Sequence, residues 1–124
     1  MFAYIRGKLV QATPSYAVIE ASGIGYKIFI PASLFPKLPQ MGSETLLHTS
    51  FIVRELSQAL YGFLSAQERD FFEALMGVTG IGPKLALSLI GHMNLSDLHK
   101  AIACGDTAAI CKVPGIGKKN SERL

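Results

Sequence analysis

The residues best equipped for chemistry in this sequence come twice. Val78-Thr79-Gly80-Ile81-Gly82-Pro83-Lys84 returns 35 positions later as Val113-Pro114-Gly115-Ile116-Gly117-Lys118-Lys119, and each copy lies between apolar, helix-like sequence and a basic, helix-like start. A phrase repeated in this way marks one structural unit used twice. Glycine reaches positive φ without steric cost and lets a ligand come close to the main chain, so each Gly-Ile-Gly predicts a tight turn between two helices with the glycines facing outward. The isoleucine between them is expected to plug the groove between the flanking helices. Pro83 stands where a first helical residue belongs, because its ring presets φ and its missing N–H is not needed there. A helix start aims unpaired N–H groups and the positive end of the helix dipole at whatever lies in front of it, which favours a phosphate. The predicted phosphate-binding set is therefore Gly80, Ile81, Gly82 and Lys84 in the first copy, with Gly115, Ile116, Gly117, Lys118 and Lys119 in the second. This is a tandem helix-hairpin-helix pattern. Backbone amides and lysines position a protein on DNA without reading its bases, so little sequence preference is expected.

Other chemistries find no support. Cys104 and Cys111 form no Cys-x-x-Cys pair, so neither a zinc ligand set nor another metal site is predicted. His48, His92 and His99 are scattered over different elements, and there is no nucleophile elbow, no P-loop and no paired-acid constellation. The chain is not expected to be an enzyme by itself, nor to hold a cofactor of its own. Its 124 residues, 49% hydrophobic and 17% charged, suffice for one ordinary domain or two small ones with apolar cores. A mean hydropathy of +0.33 leaves apolar surface that a small monomer buries with difficulty, which points to self-association. The net charge of +3 matters less than its placement: Lys112, Lys118, Lys119 and Arg123 fall within 12 positions and form a basic patch. With no apolar run of transmembrane length and no charged-then-apolar leader at Met1, a cytoplasmic protein is expected.

Two textures carry these residues. Residues 1–64 read as five short strands: residues 4–10, with Gly7 a bulge or bend, then residues 16–20, 26–30, 45–53 and 59–63. Pro14 and Gly23-Ile24-Gly25 punctuate them as turns, residues 31–39 form a short helical or irregular link, and residues 54–58 join the last two strands. Five strands with a mid-chain link predict a Greek-key barrel of the oligonucleotide-binding type. From Ser65 the pattern is helical. Ser65 and Glu68 form a capping box, and Phe71, Phe72, Leu75 and Met76 supply an apolar face. After the first hairpin, Asn94 caps a helix that Gly105 stops, and Asp106 caps a shorter one through Ile110. The predicted class is α+β, with a barrel in residues 1–64 and a tandem-hairpin helical domain in residues 65–124.

The order of these phrases resembles the bacterial RuvA family of Holliday-junction-binding proteins over essentially the whole chain. The resemblance is carried by Tyr4-Ile5-Arg6-Gly7, Gly23-Ile24-Gly25-Tyr26, Phe51-Ile52-Val53-Arg54-Glu55, Leu60-Tyr61-Gly62-Phe63 and Gln67-Glu68-Arg69, besides the two hairpins and Glu122-Arg123-Leu124. It implies a barrel that assembles a tetramer, or two tetramers as an octamer, and hairpins that grip the arms of a four-way DNA junction held open and square-planar. It also implies two partners in recombination and DNA repair: the motor RuvB, which uses ATP and magnesium, and the resolvase RuvC. The family's two successive acids at a strand tip, an acidic pin at the junction centre, are here Glu55 and Leu56. One acid is kept, so a shallower electrostatic barrier is expected. The family's C-terminal motor-binding domain is absent from these 124 residues, and the second hairpin's following helix is incomplete. Against this reading stand a generic helix-hairpin-helix repair module or nuclease accessory subunit, a single-strand binder using exposed aromatics on the barrel, and hairpins that contact only protein.

Overall fold

A computed structural model describes residues 2–78, 80–105 and 110. It divides the chain into two compact units, Met1–Arg69 and Asp70–Leu124.

The first unit is built on strand β1 (Tyr4–Ala12), which buries Ile5 and Leu9 and turns its other residues outward. β1 serves two neighbours in succession. Its first half pairs antiparallel with β4 (Glu44–Arg54), from Tyr4 opposite His48 to Lys8 opposite Glu44, and its second half pairs with β2 (Tyr16–Ala21), from Lys8 opposite Glu20 onward. Gly7 sits where the strand passes from one partner to the other. A β-carbon there would collide with the Glu20 carbonyl of β2, so the two backbones approach more closely than any side chain allows. The bulge lies three residues further on. Leu9 opposes Ile19 and Gln11 opposes Val18, leaving Val10 as the extra, exposed residue.

β2 returns as β3 (Ile24–Phe29) through a two-residue turn at Ser22 and Gly23, whose φ values of 53° and 82° give the primed geometry that matches strand twist. Gly25, expected within the turn, already belongs to β3. Residues 31–38 follow with a 3-10 turn at Phe35–Lys37, and their buried Leu34 packs with Ile5, Ile19, Ile28, Ile30 and Leu47 into the core. β4 and β5 (Ser57–Phe63) form a hairpin, and β5 pairs parallel with β3 at Leu60 and Tyr61. The strand order β1-β2-β3-β5-β4 closes into a barrel. This is the five-stranded barrel of the oligonucleotide-binding type. The last connection is shorter than expected: Arg54 pairs with Ser57, so only Glu55 and Leu56 form the turn.

Helix α1 (Ala66–Met76) begins at the expected capping box. The Glu68 N–H donates to the Ser65 hydroxyl at 3.1 Å, while that hydroxyl donates to the Glu68 carboxylate at 3.3 Å. The Arg69 guanidinium donates to the Ala3 carbonyl at 2.9 Å, which ties the first helical turn to the approach of β1 and explains why the first unit runs five residues past residue 64. In the second unit, α1 buries Phe72 and Leu75, with Phe71 and Met76 half-buried. Helices α2 (Pro83–His92) and α3 (Leu95–Cys104) add Leu89, Ile90 and Leu98 to the buried set. Asn94 caps α3 by accepting from the Asp97 N–H at 2.7 Å, and Gly105 ends it in the left-handed conformation, φ 68°.

Gly7→Ala forces backbone against backbone and should cost about 1–3 kcal/mol, the range for overpacking a close-packed interior. Urea denaturation checks this: the midpoint falls while the slope is unchanged.

Candidate nucleic-acid interface

The first hairpin is assembled by short hydrogen bonds along the chain. At the end of α1, Gly77 and Val78 donate to the Ala74 and Leu75 carbonyls, and Ile81 then donates back to the Val78 carbonyl at 3.0 Å. Gly80 takes φ 87°, a region L side chains avoid, and swings the chain around. Ile81 is 4% exposed, buried as its apolar character predicted. Gly82 and Pro83 follow as N-cap and first residue of α2.

The two glycines are glycine for different reasons. Gly82 has φ −93° and ψ −178°, extended backbone open to any residue, and a β-carbon added to it would meet nothing within 4 Å. Nothing among the described residues requires its bareness. The open space in front of it is where α2 begins. Among the described residues no side chain caps that helix, and its first turn contains no acid. The first helical N–H with a carbonyl behind it is that of Ala86, bonded to Gly82 at 3.0 Å, so the helix supplies no partner for the Lys84 and Leu85 N–H groups. Lys84 is exposed beside this positive end. A cation there is unfavourable by about 0.3–1 kcal/mol, an arrangement that makes sense with an anion between lysine and helix. The second hairpin, with Gly115, Ile116, Gly117, Lys118 and Lys119, lies outside the described residues, as do Asp106, Cys111, Lys112 and residues 122–124.

Glu55 stands exposed at the tip of the β4–β5 hairpin between Arg54 and a Leu56 that is 96% exposed. The length of this projection is the feature sequence reasoning missed. The alternation of β-formers around residues 51–60 shows a hairpin but not that its neighbours stop short of the tip. The tyrosines divide by environment. Tyr4 is exposed, whereas Tyr26 packs against the core cluster. Tyr16, Phe29 and Tyr61 are directly opposed across three strands, but their faces are taken: the Lys27 ammonium lies 4.4 Å over Tyr16 and 5.5 Å over Phe29, and Phe29 packs on Tyr61 at 5.7 Å. Burial pushes the Tyr61 hydroxyl above the usual tyrosine range against the opposing pull of Arg54. The row reads as a packing device of the sheet, which weakens the single-strand platform. His92 holds the Ser88 carbonyl through Nδ1 at 2.9 Å and His99 stacks on Phe71 at 4.4 Å, both structural uses. Among the described residues no three His, Cys, Asp or Glu cluster as metal ligands, and no helix is long and apolar enough to cross a membrane.

An oligonucleotide-binding-type barrel followed by helices joined through an anion-ready hairpin defines a class of barrel and helix-hairpin-helix proteins. Comparison with known proteins sets the chain within that class. Residues 1–62 match the family model described as RuvA N terminal domain, and residues 72–124 match SAM-like Helix-hairpin-helix tandem. The chain belongs to the RuvA family. Over its whole length it is 55% identical to a protein of Protochlamydia amoebophila, 50% to one of Opitutus terrae and 47% to one of Methylobacillus flagellatus, each named Holliday junction branch migration complex subunit RuvA. The chain spans 62% of the length of the first two and 64% of the third.

The contrast between the glycines is measurable. Gly80→Ala should destabilise the chain by about 1–2 kcal/mol because alanine must enter the left-handed region. Gly82→Ser should leave stability unchanged or raise it by a few tenths of a kcal/mol, since serine caps a helix slightly better than glycine. Thermal or urea denaturation of the two variants beside the parent decides it.

Proposed function

We propose that this chain is a non-catalytic, structure-specific binder of four-way DNA junctions, acting as the DNA-binding subunit of a branch-migration complex in recombination and DNA repair. The observation that carries the reading is the start of α2. A helix N-terminus that no described side chain caps, an exposed lysine and a glycine whose bareness no described residue needs together form a seat for a backbone phosphate. The names of the relatives support the choice of junction as the DNA.

In this reading residues 1–64 gather as a tetramer at the junction centre, or as two tetramers enclosing it, and residues 65–124 bind the arms. Gly80, Gly82 and Lys84 hold phosphates in one hairpin, where the buried Ile81, its N–H already given to Val78, anchors the turn, and Gly115, Ile116, Gly117, Lys118 and Lys119 do so in the other. Four-fold repetition gives each arm the same seat. Glu55 lies at the crossover, where its carboxylate repels phosphates and keeps strands apart, one charge per subunit. The ATP-hydrolysing motor RuvB and the resolvase RuvC are the partners, in the cytoplasm, with ATP and magnesium belonging to the motor. Affinity comes from phosphate neutralisation and is therefore steeply salt-dependent.

Competition between a synthetic four-way junction and linear duplex of the same base sequence, at two salt concentrations with the mass of the complex recorded, tests this. Junction preference at a mass of four or eight chains is expected. Equal affinity for both DNAs with a bound monomer would instead favour a generic repair module. Gly82→Ser should weaken junction binding at undiminished stability, and Lys84→Gln should lower the slope of log affinity against log salt by about one for each phosphate no longer neutralised. Glu55→Gln should tighten binding at the crossover and reduce the preference for junction over duplex; an unchanged preference would remove the pin role.

A further inference from the structure

The β4–β5 hairpin outruns the barrel that holds it. β1 accompanies β4 only as far as His48, and β3 accompanies β5 only at Leu60 and Tyr61. Beyond those positions the pairs Ile52 with Ala59, Val53 with Gln58 and Arg54 with Ser57 have no third strand beside them among the described residues. The ribbon is rooted where Phe51 meets Phe2 edge to face at 5.2 Å, and residues 53–58 are all exposed. At its end Leu56 is 96% exposed and Val53 58%, while Met41 and Tyr4, the next most exposed large apolar groups, are at 56%. Turn chemistry does not account for a leucine there. Ser22 is the only non-glycine residue with positive φ among the described residues, so Glu55 and Leu56 do not form the primed turn that favours asparagine and glycine. Nor does packing, since a side chain so exposed contributes almost nothing to the barrel.

We infer that Leu56 is an apolar wedge that enters the base stack at the branch point of the bound junction, one tip per subunit. The inference rests on the junction-binding reading above. Its occupant follows from the chemistry of the tip. Glu55 excludes phosphate from the immediate neighbourhood, so the tip docks where backbone charge is lowest, against base faces. Leucine is among the side chains that unstack base steps, and bases already weakly stacked cost least to open. A pair of successive acids can only repel; an acid beside a leucine repels the backbone and holds the bases apart.

The fluorescence of 2-aminopurine, which rises when the base is unstacked, reads this directly. The base is placed either beside the branch point or in the middle of an arm of a synthetic junction, and the 124-residue chain is added to saturation. The parent chain should raise the signal at the branch point and not in the arm. Leu56→Ser should abolish the rise and weaken junction binding about ten-fold for each tip engaged, the lower end of what burying a leucine contributes, while Leu56→Met should retain both. A branch-point signal that Leu56→Ser leaves intact, or none from a bound parent chain, would overturn the wedge while leaving junction binding in place. A parent chain that does not prefer the junction would overturn the underlying reading, and the wedge with it. A lower mass of the DNA-free Leu56→Ser protein would show the tip to be a contact between copies of the chain and would overturn the wedge as well.

Discussion

Everything in the barrel depends on one strand pairing twice. Closing five strands requires β1 to leave β4 and take up β2 without losing register, and two local devices permit it. At Gly7 the backbone of β2 comes so close that a β-carbon would strike the Glu20 carbonyl, and at Val10 a bulge resets the pairing before the strand ends. The change of partner brings Ile5 and Leu9 into one core with Ile19, Ile28 and Leu47, where Leu34 from the 31–38 link also packs. With β1 committed to the first five residues of β4 and the segment before it reaching only Thr49 and Phe51, residues 52–54 have only β5 beside them among the described residues. The protruding ribbon is thus a consequence of closure: β4 and β5 are longer than the neighbours available to them.

The helical unit solves a different problem. Helices of ten or eleven residues are marginal alone, so α1, α2 and α3 depend on the residues they share. Phe72, Leu75, Ile81, Leu89, Ile90 and Leu98 are all buried, and Ile81 is contributed by the turn itself. Its burial is the reason the turn can be so short. Once Ile81 is inside, the chain must reverse through Gly80 and start α2 at Gly82, which leaves the start of α2 facing outward. One packing event therefore creates the core contact and presents the start of α2 together, and a β-carbon at Gly82 would meet nothing within 4 Å there.

Charge in the two units follows the same division of labour. At α2 the dipole and Lys84 have one sign and invite an anion, whereas at the ribbon tip Glu55 rejects one and Leu56 is indifferent to charge. In the function proposed above, the attractive and the repulsive element serve one DNA, with phosphates held along the arms and kept away from the crossover. The leucine is what makes this chain's tip different from a purely electrostatic one.

The sequence alone determined the local events, because each is decided by residues within a few positions of one another. The capping box at Ser65, the asparagine cap at Asn94, the left-handed stop at Gly105, the buried Ile81 and the presence of five strands all follow from short-range pattern and turn chemistry. The repeat made the hairpin legible for the same reason. Tertiary structure decided what depends on partners distant in sequence. It moved the bulge from Gly7 to Val10 and gave Gly7 a contact with Glu20 instead, because close approach of two strands is invisible to either strand. It absorbed Tyr16, Phe29 and Tyr61 into a cross-strand row, since stacking partners are set by register. It also separated Gly80, required by its own φ, from Gly82, which no described residue requires, and left Leu56 in water, because burial is a property of the closed barrel and not of any segment read alone.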